Sequence, residues 1–302
     1  MAIDYNVFER KFEMQIILDR SEIMFPTVDF FGRQVTRMII GDNPVNGHSY
    51  IADQITGVEM SEYYTQSRVV ELLFEVVEAG YNTILPIACP KIFGILREFR
   101  SKGGKINIIF QPYPRTPLAE NIEEMREFDP IGTYHQGSVA DYLIETGNEK
   151  QLFENLEILK KSGFPVGYAS HDPGVVLRAE EEGWGMDFYM TCLYNMRRNR
   201  KGQQSGFITG ETKAGVVYGP EDRLEMLEVI KKVKKPCIAY KLLAGGQALI
   251  GLDAEAREAT ITRLFKETYE NIKSTDIACI AVFQRDADQL AQDTRILKSI
   301  LM

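Results

Sequence analysis

The 302-residue chain is poor in the residues and patterns that mark several protein classes. It has one Trp, three His and four Cys. Cys89, Cys192, Cys237 and Cys279 stand singly in apolar segments with no CxxC pair. That spacing argues against a disulfide framework and leads us to expect reduced thiols in a cytoplasmic protein. No apolar run approaches the ~18 residues of a membrane span, and the opening MAIDYNVFERKFEMQ lacks the apolar core of a signal peptide. Basic residues are in deficit: 35 Lys plus Arg against 43 Asp plus Glu give a net charge of -8. Such a surface repels phosphate backbones, so neither nucleic acid nor a membrane is expected as a partner. GxGxxG and HExxH are both missing, which removes the local signatures of a dinucleotide turn and of a zinc protease helix. What remains is 44% hydrophobic and 26% charged, the composition of a soluble globule, which names no function; a small-molecule substrate is the partner expected, with self-association open.

The pattern that is present is an alternation of β-rich runs with amphipathic helices. Strands are expected at Val35–Ile40, Tyr81–Ala88, Ile106–Gln111, Ile131–His135, Phe164–His171, Asp187–Leu193, Pro236–Leu243 and Ile277–Phe283. Between them, Val69, Leu72, Leu73 and Val76 share one helical face, as do Leu152, Leu156 and Leu159, and later Leu224, Leu227 and Ile230. Gly80, Gly163 and Pro236 stop helices. Eight strands in strict alternation with helices require right-handed crossovers and close as a (β/α)8 barrel over residues 34–302. A doubly wound open sheet would need a glycine-rich turn after the first strand, where Gly41-Asp42-Asn43-Pro44 stands instead. Residues 1–33 form an extension, with Thr27–Phe31 and Gly32 opening a β-hairpin.

In such a barrel the strand ends meet at one mouth. They carry Asp42 and Asn43, Gln111, His135, His171 and Asp172, Tyr194 and Asn195, Lys241, and Gln284 with Arg285; His48 follows in the first loop. His135 and His171 suit proton transfer near neutrality. With Asp42 they would also serve as ligands to a divalent metal, should one bind. Alternation in CIAYKLL places Cys237, Ala239 and Lys241 on one face, read as the barrel axis, where a desolvated amine could form a Schiff base or abstract a proton. Each residue also has an ordinary explanation: a hydrogen-bonded histidine, a lysine reaching for water, a solvated loop. Arg197 and Arg198 open a long loop that could grip an anionic substrate.

The order of motifs resembles the aldo/keto reductase family over about residues 30–300. The resemblance rests on Gly80-Tyr81-Asn82-Thr83, on Thr133-Tyr134-His135-Gln136 and on Val166-Gly167-Tyr168-Ala169-Ser170-His171. It continues in Met186-Asp187 with Tyr194-Asn195, and in Ala239-Tyr240-Lys241-Leu242-Leu243-Ala244-Gly245-Gly246. It implies the barrel fold, and for that family NADPH-dependent carbonyl reduction by an Asp, Tyr, Lys and His tetrad. Only the His carries over, onto His135. The tetrad Asp falls near Leu85, the Tyr near Pro90 or Lys91, and the Lys at Gln111, while Ser170-His171 replaces the Ser-Asn pair that holds the nicotinamide. Phe283-Gln284-Arg285-Asp286 keeps one cation where the cofactor's 2′-phosphate is usually held by more. The resemblance also turns Tyr240 into the site and Lys241 away from it. NADPH is therefore not expected.

The reading that follows is an enzyme of lyase, isomerase or hydrolase type acting on a sugar-derived or keto metabolite. His135 and His171 would be acid and base, Asp42 an orienting or hydroxyl-binding group, and Lys241 the group that polarises or traps a carbonyl. Substrate contacts are expected from Asn43, His48, Gln111, Asp172, Tyr194, Asn195, Tyr240, Gln284, Arg285, Arg197 and Arg198. The alternatives are an NADPH oxidoreductase with a rearranged tetrad and a non-catalytic metabolite-binding barrel.

Overall fold

A computed structural model describes residues 25–198, 201–204 and 217–302. Thr27–Phe30 (β1) and Arg33–Thr36 (β2) pair antiparallel across Phe31-Gly32. The next eight strands are Met38–Gly41 (β3), Thr83–Leu85 (β4), Asn107–Phe110 (β5), Gly132–His135 (β6), Val166–Ser170 (β7), Phe188–Cys192 (β8), Cys237–Tyr240 (β9) and Ile277–Ile280 (β10). They close in the order β10-β3-β4-β5-β6-β7-β8-β9. Every neighbouring pair is parallel, so β3 and β7 stand opposite one another. This is a (β/α)8 barrel; the open sheet is excluded.

The helices are Gly57–Tyr63 (α1), Gln66–Glu78 (α2), Pro90–Ser101 (α3), Leu118–Met125 (α4), Gly137–Glu145 (α5), Glu149–Lys160 (α6), Pro173–Glu181 (α7), Pro220–Lys232 (α8), Ala254–Asn271 (α9) and Gln289–Leu301 (α10). Their ends follow local chemistry. Thr56 and Glu59 form a reciprocal capping box at α1, Thr65 caps α2, and Asp172 caps α7. Among the described residues no helix is long and apolar enough to cross a membrane.

Two apolar clusters divide the chain. Met38, Ile40, Ile84, Ile108, Phe110, Tyr168 and Ala239 face outward and pack with the helices. Ile39, Leu85, Ile109, Tyr134, Ala169, Phe188, Met190, Ile238 and Cys279 fill the barrel and join Val28, Phe30 and Val35 of the hairpin. Phe30 meets Phe188 edge-on at 5.1 Å, so the hairpin stoppers the N-terminal end. Burying a ring of that size stabilises by about 1.5–3 kcal/mol.

Three expectations are corrected. The strand expected over Val35–Ile40 is two strands parted at Arg37, because Thr36 belongs to the hairpin register while Met38 begins the barrel. A helix absent from the sequence reading, α5, precedes the one through Leu152; the Gln136 side chain accepts from Val139 N at 2.7 Å and caps it. On β9 the alternation runs opposite to the expectation: Ile238 lies in the barrel cluster with Tyr240 packed against it, and Cys237 and Ala239 face the helices. Hydrophobic bulk misleads here because the barrel interior is itself a packed apolar core.

Candidate active site

The polar constellation at the C-terminal mouth is centred on His171, one residue past the end of β7. Asp141, on α5, takes three donors: Ser170 Oγ at 2.6 Å, His171 backbone N at 3.1 Å and His171 Nδ1 at 2.7 Å. A group accepting from all three is the carboxylate, which places the imidazole proton on Nδ1 and leaves the Nε2 lone pair facing the mouth. Gly137 permits this approach, since a Cβ there would stand 3.2 Å from His171 Cε1. Burial, followed by the Lys241 charge, lowers the His171 pKa below its ordinary value.

Tyr240 and Lys241 supply the groups opposite Nε2. The Tyr240 hydroxyl is 3.3 Å from it and Lys241 Nζ 3.5 Å. Consecutive strand residues ordinarily point to opposite faces. Both reach the mouth because Lys241 has φ 62°, in the left-handed region, which swings its side chain back over the barrel. Such a conformation costs a non-glycine residue of order 1 kcal/mol or more. The backbone is held by Arg223, buried on α8, which donates to Leu242 O at 2.7 Å, to Leu264 O and to Thr268 Oγ1. Nζ lies 4.5 Å from the Tyr50 ring centroid, 5.7 Å from Tyr218 and 5.5 Å from Tyr240, with Met196 Sδ as a further neighbour. Tyr50 reaches this position over Gly245 (φ 62°), where any Cβ would fall 2.6 Å from its ring. Burial opposes the Lys241 charge, but Tyr50, Cys192 and Asp141 outweigh it and the pKa is raised. The amine is an ammonium, which removes the expectation of a resting neutral nucleophile.

Asp42 ends β3, on the far side of the barrel. Its Oδ2 accepts from Ile87 N at 2.7 Å and from Asn46 Nδ2. Burial pushes its pKa up to about 6 against these hydrogen bonds. Inside the barrel Tyr134 donates to Gln111 Oε1 at 3.0 Å.

The other expected residues are placed as follows. His135 turns outward: Nε2 meets Asn155 of α6 at 3.1 Å and Nδ1 meets Gln136 O at 3.3 Å, and burial lowers its pKa to about 4. Tyr134, its neighbour, holds the inward position. His48 is close enough to Lys241 for that charge, after burial, to lower its pKa. Asn43 accepts His48 N at its carbonyl, and Asn195 Oδ1 accepts Arg197 N. Asp172 is spent on its cap. Tyr194 lies behind the mouth, 5.1 Å from Tyr218 and under Arg223. Gln284 bonds Asp288 and Leu290 N, and Arg285 bonds Asp286 and Glu59 on the rim. Of the β8–α8 loop's arginines, the described Arg197 and Arg198 are committed within the chain: Arg197 is buried in a two-point pair with Glu145, and Arg198 is paired with Asp222 and Glu225. Residues 199–200 and 205–216 lie outside the described residues.

Among the described residues no group of three or more His, Cys, Asp or Glu is disposed to hold a metal, since His135 faces away from His171 and Asp42. The residues also do not fit a nicotinamide cofactor. Ser170 gives its hydroxyl to Asp141, Leu85 is packed in the interior, and Arg285 is committed to carboxylates. The sequence reading passed over Asp141, Tyr50, Tyr134, Met196 and Arg223. Asp141 alone left a signal, as an acid beside Ala140 with Gly137 and Glu145, not a base, one turn away.

No protein-family model matches the chain, and no curated protein matches it significantly. Solved structures do share its fold. A protein provisionally named 2,5-diketo-D-gluconic acid reductase B superposes with a TM-score of 0.52 at 10% identity, over 93% of this chain and 88% of that one. The apo form of Gox0644 gives 0.52 at 11%, over 91% and 93%. Xanthomonas albilineans dihydropteroate synthase with 4-aminobenzoic acid gives 0.50 at 12%, over 91% and 96%. At such identities the likeness is one of architecture. The chain is a (β/α)8 barrel structurally similar to a reductase of the kind its motifs resemble.

Proposed function

We propose that the protein is an acid–base enzyme of isomerase or lyase type acting on a small keto or sugar-derived metabolite. The observation that carries the reading is the Asp141–His171 pair, whose Nε2 meets Tyr240 and Lys241 at the mouth. His171 removes a proton from the carbon beside a carbonyl; the C–H pair moves into the C–C bond as the carbonyl π pair moves onto oxygen. The enolate oxygen so formed is met by the Lys241 ammonium and the Tyr240 hydroxyl. Asp42, with its pKa near 6, is the acid that returns a proton or holds a substrate hydroxyl. His135 has no part in this scheme, and Lys241 acts as a charge rather than as an amine nucleophile.

The test is proton exchange in D2O, followed by NMR, with dihydroxyacetone, pyruvate and hydroxypyruvate as probes. Wild type is expected to exchange the α-protons of at least one, and His171→Asn to lose that exchange. Exchange that survives His171→Asn overturns the assignment. Borohydride trapping with the same probes should leave the intact mass unchanged; an adduct on Lys241 would replace the ammonium role by a Schiff base.

A further inference from the structure

We infer that the mouth takes a monoanionic substrate with vicinal carboxylate and carbonyl oxygens, a 2-oxo acid rather than a neutral sugar or a phosphate ester. The inference rests on the proposed role of Lys241 as the group that meets the reacting oxygen. A desolvated ammonium is ordinarily paired with a carboxylate. Among the described residues no carboxylate bonds Nζ: its partners are the Met196 thioether, the Nε2 of His171 and the Tyr50 side chain, with the Tyr218 and Tyr240 rings beside it. The rings lend the cation partial compensation but no counter-charge, so the missing negative charge belongs to the ligand.

The number of charges follows from the neighbouring cations. Arg197 is committed to Glu145, Arg198 to Asp222 and Glu225, and Arg285 to Asp286 and Glu59, while Lys91 Nζ donates to Val45 O at 2.7 Å. Of these described cations Lys241 is thus the one without a carboxylate or carbonyl partner, enough for a carboxylate and too little for a phosphate dianion. Two donors, Nζ and the Tyr240 hydroxyl, flank the same Nε2 at 3.5 and 3.3 Å. Adjacent oxygens on one planar fragment match that pair, and the next carbon would then face the imidazole.

Oxamate, a monoanion with vicinal carboxylate and carbonyl oxygens and no C–H to remove, is the probe. In calorimetric titrations wild type should bind oxamate at least about tenfold more tightly than neutral glycolamide or inorganic phosphate, the size of one charged hydrogen bond. Lys241→Met and Lys241→Gln, each checked by thermal melting, should lose that preference, and His135→Asn, on the outward side of β6, should keep it. Glycolamide or phosphate binding as tightly as oxamate, or oxamate affinity unchanged in both lysine variants, overturns the inference. Because oxamate has no proton to give up and the titrations read binding alone, failure of this inference is distinguishable from failure of the proton-transfer reading, which the exchange experiment tests separately.

Discussion

Neighbouring strands β6 and β7 carry a histidine at the end and just past the end respectively, and the two have opposite fates. Burial does not separate them, for both are 4% exposed. Parity does. On β6, Tyr134 takes the inward position and His135 is turned against Asn155. On β7, Ala169 lies inward and Ser170 outward toward Asp141, so His171 comes round to the mouth. The partner then sets the chemistry. An amide and a backbone carbonyl give His135 only neutral hydrogen bonds, whereas a carboxylate fixes the tautomer of His171 and leaves the other nitrogen facing Tyr240 and Lys241. A histidine at a strand end becomes a candidate base only when a second element brings it an acid.

The sharpest way to break this contrast is to exchange the fates. His171→Asn should reduce α-proton exchange by about two to four orders of magnitude, the usual worth of a positioned base; the same change at His135 should leave the rate nearly intact. Next in size, Asp141→Asn should cost about 100-fold or more by releasing the tautomer, with 15N shifts of the ring showing the proton leaving Nδ1. If His171 keeps its tautomer in that variant, the carboxylate is not what holds it.

The pH profile sharpens the comparison further. His171 works as the free base with a lowered pKa, so exchange should stay flat on going down to about pH 6.5, the ordinary imidazole value, and fall only below it. Lys241→Met removes a positive neighbour and should move that acid limb to higher pH. The fourth effect concerns stability. Asp42 has a folded pKa of about 6 against 3.8 unfolded, so its ionisation opposes folding fully above pH 6 and not at all below pH 3.8. Asp42→Asn should therefore stabilise by about 3 kcal/mol at pH 8, and the gain should vanish as the pH falls toward 4 in denaturant titrations. Smallest is His135→Asn, a loss of about 1 kcal/mol from one buried hydrogen bond.

The barrel itself was legible because strand, turn and amphipathic helix repeat in order, and each apolar stripe of a helix has only one place to go. The site was legible in part. His171, Lys241, Tyr240 and Asp42 were found because they terminate strands. Which way each points was not, for two reasons. Barrel interiors and barrel walls are both apolar, so the pattern around Ile238 and Tyr240 does not tell inside from outside. And Lys241 breaks the two-residue alternation through a left-handed turn that no pattern of hydrophobicity records. Asp141 was missed because its importance depends on α5 folding back beside β7, a contact between residues 29 and 30 positions apart.

The stopper formed by the β1–β2 hairpin has a bearing on traffic. With Phe30 and Phe188 packed together at one end of the barrel, the substrate of the proposed reaction would come and go at the other, where Tyr50, Met196 and Tyr218 lie beside Lys241. On that proposal, side chains that do no bond-making would still set the pace of turnover.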